Sequence, residues 1–194
     1  MDGSSAFRRA VHIVSPIFLA YYLIPEPLPG GITRTALTLL FLGTAACIEI
    51  ARMALGIPLL GLRPYEGQRV SAYAQGALGL AFGLFVIRDP RIVIPVFIGM
   101  AWIDPLAGLC RRQGWTRVIP TATYFALFLG TVLLMRSFAI QNALFFSAAA
   151  TAAAILVEGP KHVQIDDDLL MQVFPMFVVY YLLAGFGTGF GASM

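Results

Sequence analysis

Long apolar runs separated by short polar joints are the dominant pattern of this chain. A hydrocarbon core of about 30 Å requires roughly 20 apolar residues as helix. The runs lack the polar alternation of a membrane barrel, so helices must satisfy the backbone in lipid. The expected fold is an all-α, polytopic membrane helix bundle that forms one domain over residues 1–194. We expect seven spans, at residues 10–26, 32–56, 70–88, 91–110, 118–136, 138–157 and 169–190.

Composition agrees with this pattern. The chain is 59% hydrophobic and only 12% charged, with a mean hydropathy of +0.82, which leaves too little polar surface for a soluble globule. Cys47 and Cys110 lie far apart without CxxC spacing, so neither a disulfide framework nor a zinc site is indicated. An isoelectric point near 9.1 with a net charge of only +3 favours membrane lipids as partners and no nucleic acid.

The basic residues predict the orientation of the bundle. With seven spans, the N-terminus shares one side of the membrane with the second, fourth and sixth joints, and the positive-inside rule makes that side cytosolic. Nine of the thirteen basic residues fall there: Arg8, Arg9, Arg52, Arg63, Arg69, Arg111, Arg112, Arg117 and Lys161.

The acidic residues crowd onto the same side, with only Glu26 and Asp89 opposite. Acidic residues contribute little to orientation, so topology does not require this crowding. It indicates a polar site at the cytosolic face. The residues concerned are Asp2, Glu49, Glu66, Asp104, Glu158, Asp166, Asp167 and Asp168.

Two stretches of the sequence place basic residues next to the ends of predicted membrane spans. In FRRAVH, Arg8 and Arg9 precede His12 by four and three residues, so we expect all three on one helix face. The alternative is that the two arginines only anchor the first span. In the second joint, Arg63, Glu66 and Arg69 follow the Glu49–Arg52 pair. These charges either bind a phosphate-bearing ligand or form ordinary salt bridges at loop ends.

Asp104 stands inside the apolar segment FIGMAWIDPLAGLCRR. A charged side chain at the centre of a spanning helix costs about 2.5–3.5 kcal/mol by insertion scales, so such a residue indicates a functional site. Pro105 follows and predicts a break in the span, with Asp104 facing a cavity about two helical turns from Arg111 and Arg112. A structural cap on a half-helix is the alternative.

The sixth joint ends in three consecutive acids, Asp166, Asp167 and Asp168, which adjoin the apolar run LLMQVF. Clustered carboxylates suit Mg²⁺, which binds through one or two carboxylates and substrate phosphates. The alternative is an acidic N-terminal cap of the last helix, stabilised by the helix dipole.

In this order, these pieces resemble the membrane-embedded CTP-dependent lipid kinase family, which includes dolichol kinase, phytol kinase and CTP-dependent diacylglycerol kinase. The resemblance spans nearly the whole chain. The motifs that carry it are R-K-x-x-H at Arg8, Arg9 and His12; R-x-x-E at Arg63 and Glu66; D-P-x-A at Asp104–Ala107; and E…D-D-N-L at Glu158 and Asp166–Leu169.

The chain departs from the family in one region. After D-P-x-A the family has a Gly-Arg pair and a K-[ST]-x-E-G motif linked to nucleotide phosphates. Here Arg111 stands near the expected glycine, and PTATYF contains neither lysine nor glutamate. Asp168 also stands where the family tends to have asparagine.

The resemblance implies a kinase that moves the γ-phosphoryl group of CTP, or of another nucleoside triphosphate, onto the hydroxyl of a lipid alcohol. Asp104, Asp166 and Asp167 would hold Mg²⁺, and Asp104, Asp167 and His12 would be catalytic, with His12 or an acid accepting the hydroxyl proton. Substrate or nucleotide contacts would come from Arg8, Arg9, Arg63, Glu66, Arg69, Arg111, Arg112 and Glu158. The alternatives are a cytidylyltransferase that makes a CDP-lipid, and a non-catalytic lipid-phosphate binder or transporter.

Overall fold

The computed structural model describes residues 3–28, 30–57, 59–62, 66–67, 69–158 and 165–190. Within these ranges the chain is helical and contains no strand. The all-helical architecture is thereby confirmed. The helices are α1 (Gly3–Val14), α2 (Arg34–Leu55), α3 (Ala72–Phe82), α4 (Pro90–Gln113), α5 (Val118–Leu134), α6 (Ile140–Val157) and α7 (Asp167–Phe190).

Four of these helices are long and apolar enough to cross a membrane: Arg34–Leu55, Pro90–Gln113, Ile140–Val157 and Asp167–Gly185. Two shorter apolar helices cover Ala72–Ile87 and Val118–Leu134. The first predicted span has a mixed structure. It is α-helical to Val14 and continues as a 3₁₀ helix over Ser15–Tyr22, because Pro16 in the first 3₁₀ turn has no N–H for the α-helical hydrogen bond.

Helix α4 is the centre of the bundle. It packs against α5 and α7, and α1 and the 3₁₀ helix lie against it as well. Ile92, Val96 and Ile103 of α4 are fully buried. At the other extreme, only 11% of the most apolar stretch of α2 is buried, and its main contact is with α3. The apolar outer face of α2 therefore suits contact with lipid.

The predicted break at Pro105 is wrong. Helix α4 continues without interruption from Pro90 to Gln113, through both Pro95 and Pro105. Ala107 and Cys110, beyond the second proline, are still buried in the bundle. Neighbouring helices can cover the backbone groups that a proline frees, and α4 has neighbours on several sides.

Small residues set the contact between α3 and α7. A Cβ atom added to Gly79 would lie 2.6 Å from Oε1 of Gln172, and one added to Gly83 would lie 3.1 Å from Cε of Met176. The two helices approach closely because these positions carry no side chain, as is common between helices in membranes. This contact holds the first turns of α7 beside the start of α3.

Candidate functional site

Four acids meet at one end of the bundle. Asp104 lies in the second half of α4, while Asp166, Asp167 and Asp168 lie at the start of α7. We call these four carboxylates, together with His12 beside them, the acidic centre. Two groups within it could hold a cation: His12 with Asp104 and Asp168, and the Asp166–Asp168 trio, each with its ligand atoms within 4.8 Å of one another. Asp168 belongs to both groups.

His12 joins the two halves of the acidic centre. Its Nε2 atom lies 3.5 Å from Oδ2 of Asp168 and 3.8 Å from Oδ2 of Asp104. Helix α1 is fixed against α4 nearby, where Nε1 of Trp102 donates a hydrogen bond of 3.2 Å to the carbonyl of Ile13. The convergence of Asp104 with the α7 acids, which the sequence suggested, is therefore present in the structure.

Arg8 connects the acidic centre to the segment between α2 and α3. Its Nη1 donates to Oε1 of Glu66 at 2.9 Å, and its Nη2 donates to Oδ2 of Asp168 at 3.4 Å. Arg8 and His12 share a face of α1, as their four-residue spacing predicts. Arg9 is half-buried and forms no ion pair among the described residues.

Asp166 is bound on two sides. Nη2 of Arg69 donates to its Oδ2 at 3.2 Å, and its own backbone N–H donates to Oε1 of Gln75 at 2.6 Å. Its Oδ1 accepts a weak bond of 3.4 Å from the backbone N–H of Asp168. An acid in this position caps α7. Asp166 thus has a structural role in addition to its place in the acidic centre.

Carboxylates outnumber basic groups around this site within the described ranges. Among the described residues, five carboxylates are grouped with the guanidinium groups of Arg8 and Arg69 and the imidazole of His12. In the part of the chain that the structure describes, Oδ1 of Asp168 and Oε2 of Glu66 are buried without a hydrogen-bond partner. Buried carboxylates are costly unless they are paired, protonated or bound to a cation, and these clustered oxygens fit a divalent cation. The five are Glu66, Asp104, Asp166, Asp167 and Asp168.

A cavity of about 360 Å³ opens beside the acidic centre, between α1, α2 and α3. Its polar end is lined by His12, Glu49, Ser71 and Asp168, and the rest of its lining is almost entirely apolar. A volume of this size falls within the range of small-molecule sites, and an apolar cavity with a few converging polar groups is their usual form. The acidic centre and an apolar binding space therefore share His12 and Asp168.

A second group of buried charges lies close to the first. Arg52 binds Glu49 through two hydrogen bonds, of 3.1 and 2.8 Å, at the i, i+3 spacing noted in the sequence. Arg52 also donates to the carbonyl oxygens of Glu66 and Arg69. Ser71 donates to both oxygens of Glu49. We call this group the Glu49–Arg52 cluster; it fixes the segment that carries Glu66 and Arg69.

The other predicted nucleotide contacts lie at the surface. Arg111 and Arg112 are exposed in the last turn of α4. Nη1 of Arg111 donates to Oε1 of Glu158 at 3.0 Å, and Nε of Arg112 donates to the carbonyl of Gly108. Neither contacts the acidic centre in the described structure. Arg63 lies outside the described residues.

Three residues of the site were not among the predicted ligands or contacts, although the sequence analysis named one of them, Asp168, in the acidic trio. Asp168 contacts both Arg8 and His12, although the prediction favoured Asp166 and Asp167 as ligands. Gln75 holds Asp166, and the fully buried Gln172 donates from Nε2 to the carbonyl of Asp168 at 3.1 Å. A glutamine inside an apolar helix was the available signal, because such polar residues are rarely kept without a partner.

Comparisons of the chain with protein-family models, with curated proteins and with solved structures find no match. The resemblance to lipid kinases therefore stays an expectation, and the function must be argued from the site.

Proposed function

We propose that the protein is a membrane lipid kinase. In this proposal it transfers the γ-phosphoryl group of CTP, or of another nucleoside triphosphate, to the hydroxyl of a polyprenol, another isoprenoid alcohol or a diradylglycerol. The observation that carries the proposal is the junction of the acidic centre with the apolar cavity at His12 and Asp168. Transfer to a lipid alcohol needs a polyphosphate site and a lipid-tail site that meet at one point.

Magnesium is the cation that this centre suits best. Asp166, Asp167 and Asp168 supply three carboxylates within reach of one cation, and Asp104 adjoins them through Asp168 and His12. Mg²⁺ prefers oxygen ligands and keeps positions for substrate phosphates. When bound, it would neutralise charge that develops on the transferred phosphoryl group.

The nucleotide would approach from the exposed end of α4. Arg111 and Arg112 follow Asp104 by seven and eight residues, which places them about 10–12 Å further along the helix axis. Both guanidinium groups are accessible, and guanidinium pairs well with phosphate. Arg8 and Arg69 already pair with acids of the site, so their role in the proposal is to position Asp168 and Asp166.

The alcohol would approach from the cavity. Its tail would lie among apolar side chains, and its hydroxyl would reach His12 and Asp168, the lining groups that belong to the acidic centre. In the reaction, the hydroxyl oxygen forms a bond to the γ-phosphorus while the bond from that phosphorus to the β,γ-bridging oxygen breaks. The nucleoside diphosphate leaves, and the hydroxyl proton passes to Asp168 or His12.

The proposal includes seven spans with the acidic centre on the cytosolic side. The excess of basic residues on that side supports this orientation. A reporter fused after Gly114, between α4 and α5, should respond as a cytosolic segment. A signal from the opposite side of the membrane would overturn the orientation.

The experiment is incubation of the purified protein with Mg²⁺, each γ-labelled nucleoside triphosphate in turn and a panel of lipid alcohols. The proposal expects a labelled lipid monophosphate together with a nucleoside diphosphate. A CDP-lipid with released pyrophosphate would instead identify a cytidylyltransferase. Absence of any transfer by folded protein would leave a non-catalytic binder and refute the kinase.

A further inference from the structure

A second apolar cavity, of about 340 Å³, continues the first along the bundle. The first cavity is bordered by α2 from Phe41 to Glu49, whereas the second is bordered by α2 from Leu37 to Leu42. Along α3 and the residues directly before and after it, the linings likewise change from residues 71–80 to residues 80–84. The two cavities therefore lie end to end, along about 18 Å of α2.

Phe18 and Phe41 stand where the cavities meet. Both residues line both cavities, and their ring centroids are 4.9 Å apart at an interplanar angle of 42°. Phe18 belongs to the 3₁₀ helix and Phe41 to α2, so the pair bridges the two walls of the space. We call these two rings the Phe18–Phe41 pair.

We infer that the two cavities form one groove for a single-tailed lipid alcohol, and that the Phe18–Phe41 pair limits the length of tail that the groove accepts. This inference rests on the proposed function for the nature of the occupant. It goes further in two ways. It specifies an alcohol with one hydrocarbon tail, where the proposed function also allowed a two-tailed diradylglycerol, and it assigns tail-length selectivity to two residues outside the acidic centre.

The polar end of the groove supports an alcohol as the headgroup. Oδ1 of Asp168 is buried and accepts no hydrogen bond among the described residues, and Asp168 lines the first cavity. A hydroxyl is the small lipid headgroup that can donate a hydrogen bond to a carboxylate oxygen of Asp168. A phosphate or carboxylate headgroup would place a second negative charge against this oxygen.

The shape of the groove supports a single tail. Both cavities are bordered by the 3₁₀ helix, α2 and α3, and they follow one another along α2, so together they form an elongated space. One extended tail can follow such a space, whereas two tails would have to lie side by side in it. Access from lipid is available, because α2 is largely unburied and both rings of the pair are about two-fifths exposed.

The test measures binding without nucleotide, so that it does not depend on catalysis. Detergent-purified protein is loaded with radiolabelled farnesol, which is then displaced by geraniol, geranylgeraniol, a longer polyprenol or dioleoylglycerol. Replacing both rings by alanine joins the cavities. We expect the affinity for geranylgeraniol relative to geraniol to rise about tenfold in this double variant, a change equal to about 1.4 kcal/mol.

Two further variants make the result decisive. Phe41→Trp fills the junction and should shift the relative affinity toward geraniol, which keeps the inference testable even if the alanine variant does not fold. Phe177→Ala is the matched control: Phe177 is 45% exposed and paired with Tyr181, but it lines neither cavity. Its relative affinities should equal those of the wild type.

An unchanged ratio in the ring variants would overturn the inference, as would displacement by dioleoylglycerol as strong as that by single-tailed alcohols. Failure of every alcohol to displace or bind would overturn it too. Length-dependent binding without phosphorylation would refute the kinase and leave the groove standing. Phosphorylation of a lipid alcohol without any effect of the ring variants would support the kinase and refute the role of the Phe18–Phe41 pair.

Discussion

The acidic centre and the Glu49–Arg52 cluster are neighbouring groups of buried charge, and they differ in how completely their atoms are bonded. In the Glu49–Arg52 cluster, both oxygens of Glu49 accept hydrogen bonds from Arg52 and Ser71. Arg52 also binds two backbone carbonyls. Every charge there has an internal partner, as expected for a group that stabilises the fold.

In the acidic centre, carboxylates outnumber the basic groups beside them, and Oδ1 of Asp168 is buried without a hydrogen-bond partner among the described residues. The ion pairs of these four acids are also longer than those of Glu49 with Arg52: 3.2 Å for Arg69 with Asp166, and 3.4 to 3.8 Å for Arg8 and His12 with Asp168 and Asp104. A protein does not gain stability from such an arrangement. The difference indicates that the first cluster holds the chain together and the second is arranged for something that binds.

The largest expected effect comes from removing charge in the acidic centre. Asp168→Asn keeps the shape of the side chain but removes the carboxylate that both candidate cation groups share. We expect lipid phosphorylation to fall by about 10²- to 10⁴-fold, and Asp104→Asn and Asp167→Asn to act in the same direction. The measurement is turnover per folded molecule, with thermal unfolding in detergent as the control. Full turnover in these variants would remove the acidic centre from the mechanism.

The Glu49–Arg52 cluster should show the opposite behaviour. Arg52→Ala leaves Glu49 buried without its main partner, and loss of one member of a buried ion pair costs about 3–5 kcal/mol. We expect a lower free energy of unfolding, with normal activity in the fraction that stays folded. Arg34→Ala, which breaks the part-exposed pair with Glu26, is the control and should cost about 0–1 kcal/mol. A stable but inactive Arg52→Ala variant would show that the Glu49–Arg52 cluster serves activity and not stability, which would contradict the difference drawn between the two groups.

Changing the packing between Gly79 and Gln172, next to Asp168, should lower stability by a smaller amount. Gly79→Ala places a methyl group 2.6 Å from Oε1 of Gln172, and overpacking of this kind costs about 1–3 kcal/mol. Gly76→Ala on the same helix meets only Nε2 of Gln172 at 3.8 Å and should be tolerated. Thermal unfolding of the two variants in detergent compares them. Equal stability would mean that Gln172 moves freely and does not help to position Asp168.

The smallest effect is expected at the exposed end of α4. Arg112→Ala removes an exposed guanidinium, and exposed charge pairs are worth about 0.2–1 kcal/mol, so nucleotide affinity should fall about twofold to fivefold. Affinity for the lipid alcohol should not change. Titration of CTP and of farnesol into the same preparation compares the two, with the exposed Arg136→Ala at the other end as control. An unaltered nucleotide affinity would exclude Arg112 from the phosphate site.

Much of the fold could be predicted because the information is local. Apolar runs of membrane length placed α2 and α6 within two residues of their observed ends, whereas α1 begins seven residues before the predicted first span. The error at Pro105 has a tertiary cause: proline disrupts an isolated helix, but α4 is enclosed by its neighbours. The 3₁₀ helix after Val14 was also missed, although Pro16 was visible in the sequence.

The site was predictable only in part. Charged and polar residues within or next to apolar runs were predicted to form the site, and several of them do converge in the structure: Arg8, His12, Glu66, Asp104 and Asp166. Which acid of the α7 trio is central depends on the rotation of the helix against α1 and α4, and no local pattern fixes that angle. The cavity beside Asp168 depends on the gap between α2 and its neighbours, which the sequence does not specify.

The central claim is that the acidic centre binds a divalent cation together with the nucleotide polyphosphate. Titration with Mn²⁺, followed by electron paramagnetic resonance in the presence of a non-hydrolysable CTP analogue, tests it most directly. The wild type should bind Mn²⁺ with the analogue and Asp168→Asn should lose this binding, while Asp89→Asn, at the opposite end of the bundle, should keep it. Equal Mn²⁺ binding by Asp168→Asn and the wild type would contradict the claim.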